Sequence, residues 1–159
     1  MESKYMTSAR VRVAQPADRD ELAKMRRLLW PNAAAEEQLK ELDDALRNGM
    51  PGTLPGVILV SQCEGGALLG FLEVGLRSHA DGCDPTRPVG YVEGWFVLEA
   101  FRDQGVGKGL MRAAEDWARA LGSVEMASDA LIDNEGSQSA HAALGFEVVD
   151  RCVHFRKRL

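Results

Sequence analysis

The sequence predicts an α/β domain of the α+β kind, with a mixed and mostly antiparallel sheet flanked by helices, spanning residues 1–159 as one unit. Two patterns carry this expectation. Apolar alternation and short apolar runs mark strands, and apolar residues at helical spacing mark helices. In chain order they read β-α-α-β-β-β-α-β-α-β, the order of a domain with a mixed, mostly antiparallel sheet.

Ala9-Arg10-Val11-Arg12-Val13-Ala14 alternates as a half-buried strand does. Pro16 stands where a helix can begin, and Leu22, Met25 and Leu29 recur at helical spacing up to Trp30-Pro31, where the proline stops it. A second helix, Ala33 to Arg47, carries Leu39, Leu42 and Leu46 on one face. Asn48 to Gly56 is loop by its glycines and prolines. The apolar runs Val57–Cys63 and Ala67–Leu76 flank Glu64-Gly65-Gly66 as a hairpin. After a polar loop, Arg77 to Pro88, the run Val89 to Leu98 is a strand. Gly105 to Leu121 is the clearest helix, with Val106, Leu110, Ala114, Trp117 and Leu121 in its apolar stripe. A short strand Val124–Ser128, a helix around Ser137–Leu144 and a last strand, Phe146 to Phe155, complete the chain.

Of 159 residues 45% are hydrophobic and 27% charged, and 19 Lys and Arg against 24 Asp and Glu leave a formal charge of −5. A chain of this length buries about 70% of its unfolded surface, so no metal or disulfide framework is needed. The acidic balance counts against nucleic acid, whose phosphates require a Lys/Arg surplus on one face. It suits a cationic ligand. Met1–Ser8 has no apolar leader core and no stretch approaches the ~18 apolar residues of a membrane span, so a cytoplasmic protein without membrane partners is expected. Cys63, Cys83 and Cys152 are odd in number and form no C-x-x-C pair, which points to reduced thiols rather than a disulfide scaffold or a zinc site.

The most informative segment is Arg102-Asp103-Gln104-Gly105-Val106-Gly107-Lys108-Gly109-Leu110, a glycine-rich turn leading into the clearest helix. Unpaired N–H groups at a helix start carry the positive end of the dipole, and glycine lets an anion approach them closely. Lys108 opposes that dipole, which makes sense if phosphates reverse the local field. A Walker loop requires Ser or Thr where Gly109 stands, and a dinucleotide fingerprint requires glycine where Leu110 stands.

Val97-x-x-x-x-Arg102-x-x-Gly105-x-Gly107, with Asn134, His141 and Leu144-Gly145-Phe146 downstream, resembles the acyl-CoA signature of the GNAT superfamily of N-acetyltransferases. Leu29-Trp30-Pro31, Val92-Glu93-Gly94-x-Phe96-Val97-Leu98, Met126-Ala127-Ser128-Asp129 and His141-x-Ala143-Leu144-Gly145-Phe146 are together similar to bacterial aminoglycoside 6'-N-acetyltransferases. The resemblance implies a GNAT fold and acetyl-CoA as cosubstrate, with no metal. It implies that the pyrophosphate lies on the amides of Gln104, Gly105, Val106, Gly107 and Lys108. The pantetheine would pair like an extra strand against Trp95 and Val97, Asn134 would contact its arm, and Phe96, Arg102 and His141 would complete the cofactor set.

Four carboxylates sit oddly for solubilising charges. Glu73 interrupts an apolar run, Glu93 lies between Val92 and Gly94-Trp95, Asp129 ends a strand, and Asp150 lies within the last one. Each needs a cation or a cleft. Salt bridges to Arg77, Arg102 or Arg151, or a solvated face, answer that need without a ligand. By strand alternation Tyr91, Glu93, Trp95 and Val97 share a face. By resemblance, Trp30, Glu73, Glu93, Asp129 and Asp150 line an aminoglycoside site.

Acetyl transfer needs a neutral amine, a stabilised oxyanion and a proton for the thiolate. Asp129 is the first choice of base and Glu93 the second, with backbone N–H groups near Trp95–Val97 holding the oxyanion. His141 stands where the superfamily commonly has Tyr as the acid, and a helix-surface histidine is its plain alternative. A Cys-based acyl-enzyme has no matched His and carboxylate nearby in sequence. The loop Ser78-His79-Ala80-Asp81 departs from the family, whose nearest members carry an aromatic residue at Ala80. Relatives tend to be dimers that sometimes share the last strand, so a homodimer is expected. An acetyltransferase for another amine, or a silent acyl-CoA-binding module, are the competing readings.

Overall fold

The structure is a computed structural model that describes residues 8–52 and 54–159. The residues before Ser8 that enter the leader reading, and Thr53 of the predicted loop, lie outside the described residues. Five strands, β1 (Arg10–Val13), β2 (Gly56–Gln62), β3 (Leu68–Arg77), β4 (Val89–Val97) and β5 (Met126–Ser128), form one sheet in that order among the described residues. All neighbours are antiparallel except β4 and β5, which run parallel. The helices are α1 (Arg19–Leu29), α2 (Ala35–Asn48), α3 (Val106–Ala120) and α4 (Glu135–Ala143).

Side chains alternate across the sheet to build two cores. Leu59, Leu69, Leu72, Val74 and Val92 meet Val106, Leu110, Met111 and Ala114 of α3 on one face. Ile58, Val60, Leu68 and Phe71 meet Leu22, Met25 and Leu42 of α1 and α2 on the other. β3 is covered on both faces, which explains why its sequence is an almost unbroken apolar run. A single 3-10 turn, Pro16–Asp18, connects β1 to α1. Arg12 donates to both Asp18 carboxylate oxygens at 2.7 and 2.8 Å, and these bonds hold the Asp18 carboxyl below the usual carboxylate range.

Two expectations change. The stripe of α3 closes one turn earlier than predicted, since Leu121 lies beyond the helix and is 47% exposed. The predicted strand Phe146–Phe155 is not one. Among the described residues, 147–159 pair with no strand, and they are exposed, Phe155 at 93%. β-branched composition favours a strand only where an edge offers main-chain partners and a surface to pack on; among the described residues this tail has no strand partner, and Val149 against Gly82 is a side-chain contact only.

Candidate active site

β4 and β5 pair only through Gly90–Met126, Tyr91–Ala127 and Val92–Ser128. β5 then ends while β4 continues to Val97, so the sheet forks at Val92 and Ser128. From Glu93 onward β4 has β3 on one side and no β5 partner on the other.

A β-bulge sits at the same point. Glu73 pairs with Gly94 and Val74 with Val92, which leaves Glu93 as the extra residue. The bulge reverses the side-chain alternation. Trp95 and Val97 join Val92 on the α3 face, whereas Phe96 packs on the α1/α2 core. This corrects the expectation that Tyr91, Glu93, Trp95 and Val97 share a face. Tyr91 and Glu93 lie across the sheet from the Trp95 ring, grouped by Arg77. Its guanidinium bonds both Glu93 oxygens, at 2.8 and 2.7 Å, and stacks 3.5 Å from the Tyr91 ring centroid. Arg77 is one of the three arginines that the salt-bridge reading offered to the four carboxylates, and it takes Glu93.

The same face holds Glu73, Asp129 and Trp30. Asp129 is exposed immediately past the end of β5. Burial, and then the Asp129 carboxylate, push the Tyr91 phenol up to about 12, so it stays protonated at neutral pH. Trp30 lies against β4 at Gly94, where a β-carbon would come within 2.7 Å of two of its ring carbons. Only glycine admits that approach. Glu73 is no surface group: it is 5% exposed and ion-paired with Arg26 of α1, which also reaches Glu41 at 3.2 Å and lies 4.9 Å from the Trp30 ring centroid. Burial pushes the Glu73 carboxyl up, against the pull of Arg26. Its predicted place as a ligand contact is therefore corrected to a buried support beneath Trp30. Asp150 stands on the exposed tail, where its carboxylate accepts from the Arg151 N–H at 2.6 Å; among the described residues the structure does not bring it to Glu93 or Asp129.

The opposite face carries the glycine turn. Gly105 precedes α3 with φ +84°, a left-handed conformation that glycine adopts without strain. The first bond closing the helix runs from the Gly109 N–H to the Gly105 carbonyl at 2.9 Å, so the N–H groups of Val106, Gly107 and Lys108 have no partner within the helix. The Trp95 indole N–H donates to the Gly107 carbonyl at 3.2 Å, fastening the fork to the first turn of α3. Arg102 donates to the Val97 carbonyl at 3.0 Å and lies 5.7 Å from the Phe96 ring centroid, which anchors the end of β4. Gln104 donates to the Ala100 carbonyl at 3.0 Å. A cleft of 220 Å³ opens between α3 and α4, lined by Lys108, Met111, Arg112, Glu115, Ala143 and Leu144. Unpaired amides suit a diphosphate, and the free edge of β4 suits an arm bearing amide groups.

His141 of α4 is sandwiched between Trp95 and Phe146, with ring centroids 5.2 Å from each. Its Nδ1 lies 2.7 Å from the Ser137 carbonyl oxygen and its Nε2 2.7 Å from Ser128 Oγ. The plain reading of a helix-surface histidine fails here. Asn134 caps α4 by accepting from the Ser137 N–H at 3.0 Å, which leaves its amide N–H₂ for other partners. Cys152 lies 3.5 Å from His154 on the exposed tail, and Cys63 and Cys83 are free. Ser128 is the residue whose placement the sequence left unread. Ser128 belonged to a motif without an assigned part, and its signal was adjacency to Asp129.

Comparison with known proteins agrees with this arrangement. Residues 21–146 match the model of the acetyltransferase (GNAT) family. An aminoglycoside N(6')-acetyltransferase type 1 of Klebsiella aerogenes is 37% identical over 153 residues, 96% of this chain and 99% of the relative. Its counterpart from Stenotrophomonas maltophilia is 36% identical, covering 94% of this chain and 93% of the relative. Among solved structures, the enzyme AAC(6')-Iy in complex with the bisubstrate analogue CoA-S-monomethyl-acetylneamine superposes with a TM-score of 0.84 at 31% identity, covering 96% of this chain and 100% of the other. The AAC(6')-Ih enzyme of Acinetobacter baumannii gives 0.83 at 28% identity, over 96% and 99%.

Proposed function

The chain belongs to the acetyltransferase (GNAT) family, and from that premise we propose that it is a single-domain, cytoplasmic aminoglycoside 6'-N-acetyltransferase conferring antibiotic resistance. It moves the acetyl group of acetyl-CoA directly to the 6'-amine. One observation carries the reading: the fork beside Val92 and Ser128 separates a phosphate-suited helix start from a group of carboxylates. An acyl-CoA thioester on the α3 face and a cationic acceptor on the other meet at that opening.

The α3 amides and Lys108 hold the pyrophosphate, while the β4 edge from Trp95 to Val97 pairs the pantetheine and its N–H groups receive the oxyanion. Phe96 and Arg102 fix that edge, and Asn134 offers its amide N–H₂ to the arm. Trp30, Glu93 and Asp129 receive the amino-sugar, and a substrate ammonium takes the place of the Arg77 guanidinium on Glu93. Asp129 removes the proton that frees the amine, Glu93 being already engaged. The test is thiol release from acetyl-CoA with kanamycin-type substrates bearing a 6'-amine and with matched compounds bearing a 6'-hydroxyl. Reaction with the amines alone is expected. Equal rates with both sets, or with neither, would overturn the reading.

The exposed tail supports a homodimer. Val148, Val149, Val153 and Phe155 are 62–93% exposed, an apolar run that a second copy would cover, bringing Asp150 toward the partner's acceptor site. Light scattering is expected to give twice the chain mass, and Phe155→Asp to shift the protein toward monomer. A monomeric wild type would sink this arrangement.

A further inference from the structure

We infer that Ser128 is a catalytic residue, the group through which His141 exchanges the proton that passes from the acceptor nitrogen to the departing sulfur. This rests on the acetyl-transfer reading above and goes beyond it by adding a residue and fixing the path of one proton. A carbonyl oxygen only accepts, so the 2.7 Å contact with the Ser137 carbonyl requires a proton on Nδ1 of His141. In the neutral ring Nε2 is then a bare acceptor, and the Ser128 hydroxyl, 2.7 Å away, donates to it. His141 therefore has no proton of its own to present toward the fork. The hydroxyl bonded to Nε2 belongs to Ser128, the last residue of β5 paired to β4, at the fork itself.

This geometry serves both halves of the proton transfer. Once the neutral amine has attacked the thioester carbon, its nitrogen carries one proton too many. That proton passes to Ser128 Oγ as the serine's own proton passes to Nε2, leaving an imidazolium whose Nδ1–H is held by the Ser137 carbonyl. The oxyanion lone pair re-forms the carbonyl, and the C–S bond breaks with its electron pair on sulfur. The imidazolium then returns a proton through Ser128 to the thiolate. The products are the amide and a free thiol, and His141 is neutral again. The rings of Trp95 and Phe146 on either side fix the imidazole in the required plane.

The test combines kinetics with a direct reading of the tautomer. Ser128→Ala is expected to lower kcat about 10²-fold or more while both KM values stay within about twofold. Ser128→Thr, which keeps the hydroxyl, restores most of that loss. The double variant Ser128→Ala/His141→Gln is expected to be no slower than the slower single variant, because the two groups act as one unit. Nitrogen-15 NMR of the free protein is expected to show His141 protonated at Nδ1 near neutral pH. An Nε2-protonated ring would overturn the inference whatever the activity. An active wild type with an undiminished Ser128→Ala variant, or a Ser128→Ala loss that appears in KM and is not rescued by threonine, would also overturn it and leave the functional reading standing. A wild type that binds acetyl-CoA but releases no thiol with 6'-amino compounds would reject the functional reading itself, and the relay with it.

Discussion

Asp129→Asn is expected to lower kcat toward a 6'-amino aminoglycoside by about 10²–10⁴-fold, the range that a positioned general base supplies. Asparagine keeps the shape of the side chain and removes its ability to take a proton. Acetyl-CoA affinity is unaffected, because the cofactor face lies across the sheet, and the pH–rate profile changes shape. The choice of Asp129 over Glu93 follows from the neighbours. Both Glu93 oxygens accept from Arg77, whereas Asp129 is exposed beyond the end of β5. Tyr91, with its phenol pushed up to about 12, keeps its proton and is no rival base. An Asp129→Asn enzyme within about tenfold of wild type and with an unaltered pH profile would remove Asp129 from this part.

Glu73→Ala is expected to reduce folding stability by about 3–5 kcal/mol, since it strands the Arg26 guanidinium in the interior. Against a typical total of roughly 5–15 kcal/mol this is a large fraction. Arg26 is 5% exposed, and its other acid, Glu41, has a side chain 63% exposed and cannot replace the buried partner. Urea denaturation measures the loss. The paired replacement Arg26→Met/Glu73→Leu is expected to recover most of it, because apolar groups of similar volume substitute for a buried ion pair at little net cost. If Glu73→Ala were instead fully stable and raised the acceptor KM, Glu73 would be a ligand contact after all.

These two residues also show how much was readable in advance. Local signals placed nearly every element, because glycines, prolines and apolar spacing act within a few residues. They also marked Glu73 as out of place. Its partner lay 47 residues away on α1, yet Leu22, Arg26 and Trp30 stand at i, i+4 and i+8, a spacing that puts the arginine on the buried stripe. The bulge at Glu93 was not legible. A bulge is a mismatch of register between two strands, and simple alternation along one of them predicts the wrong face. The glycine turn was read correctly as the start of a helix because its cause is local. The tail was misread because strand-like composition does not provide the edge a strand needs. The Ser128–His141 contact escaped for a related reason: it joins a strand end to a helix through tertiary packing.

The fork has a consequence for the tolerance of change. β4 beyond Val92 is an unfinished piece of sheet, and a ligand that pairs there completes it. Any such ligand stabilises the folded state, by about 2.7 kcal/mol when its concentration is a hundred times its dissociation constant. Acetyl-CoA would thereby act as a reservoir of stability inside the cell, and substitutions that weaken the purified, ligand-free protein would be partly masked there. The acceptor face, where new drug specificities would arise, can then accumulate mildly destabilising changes before the fold gives way.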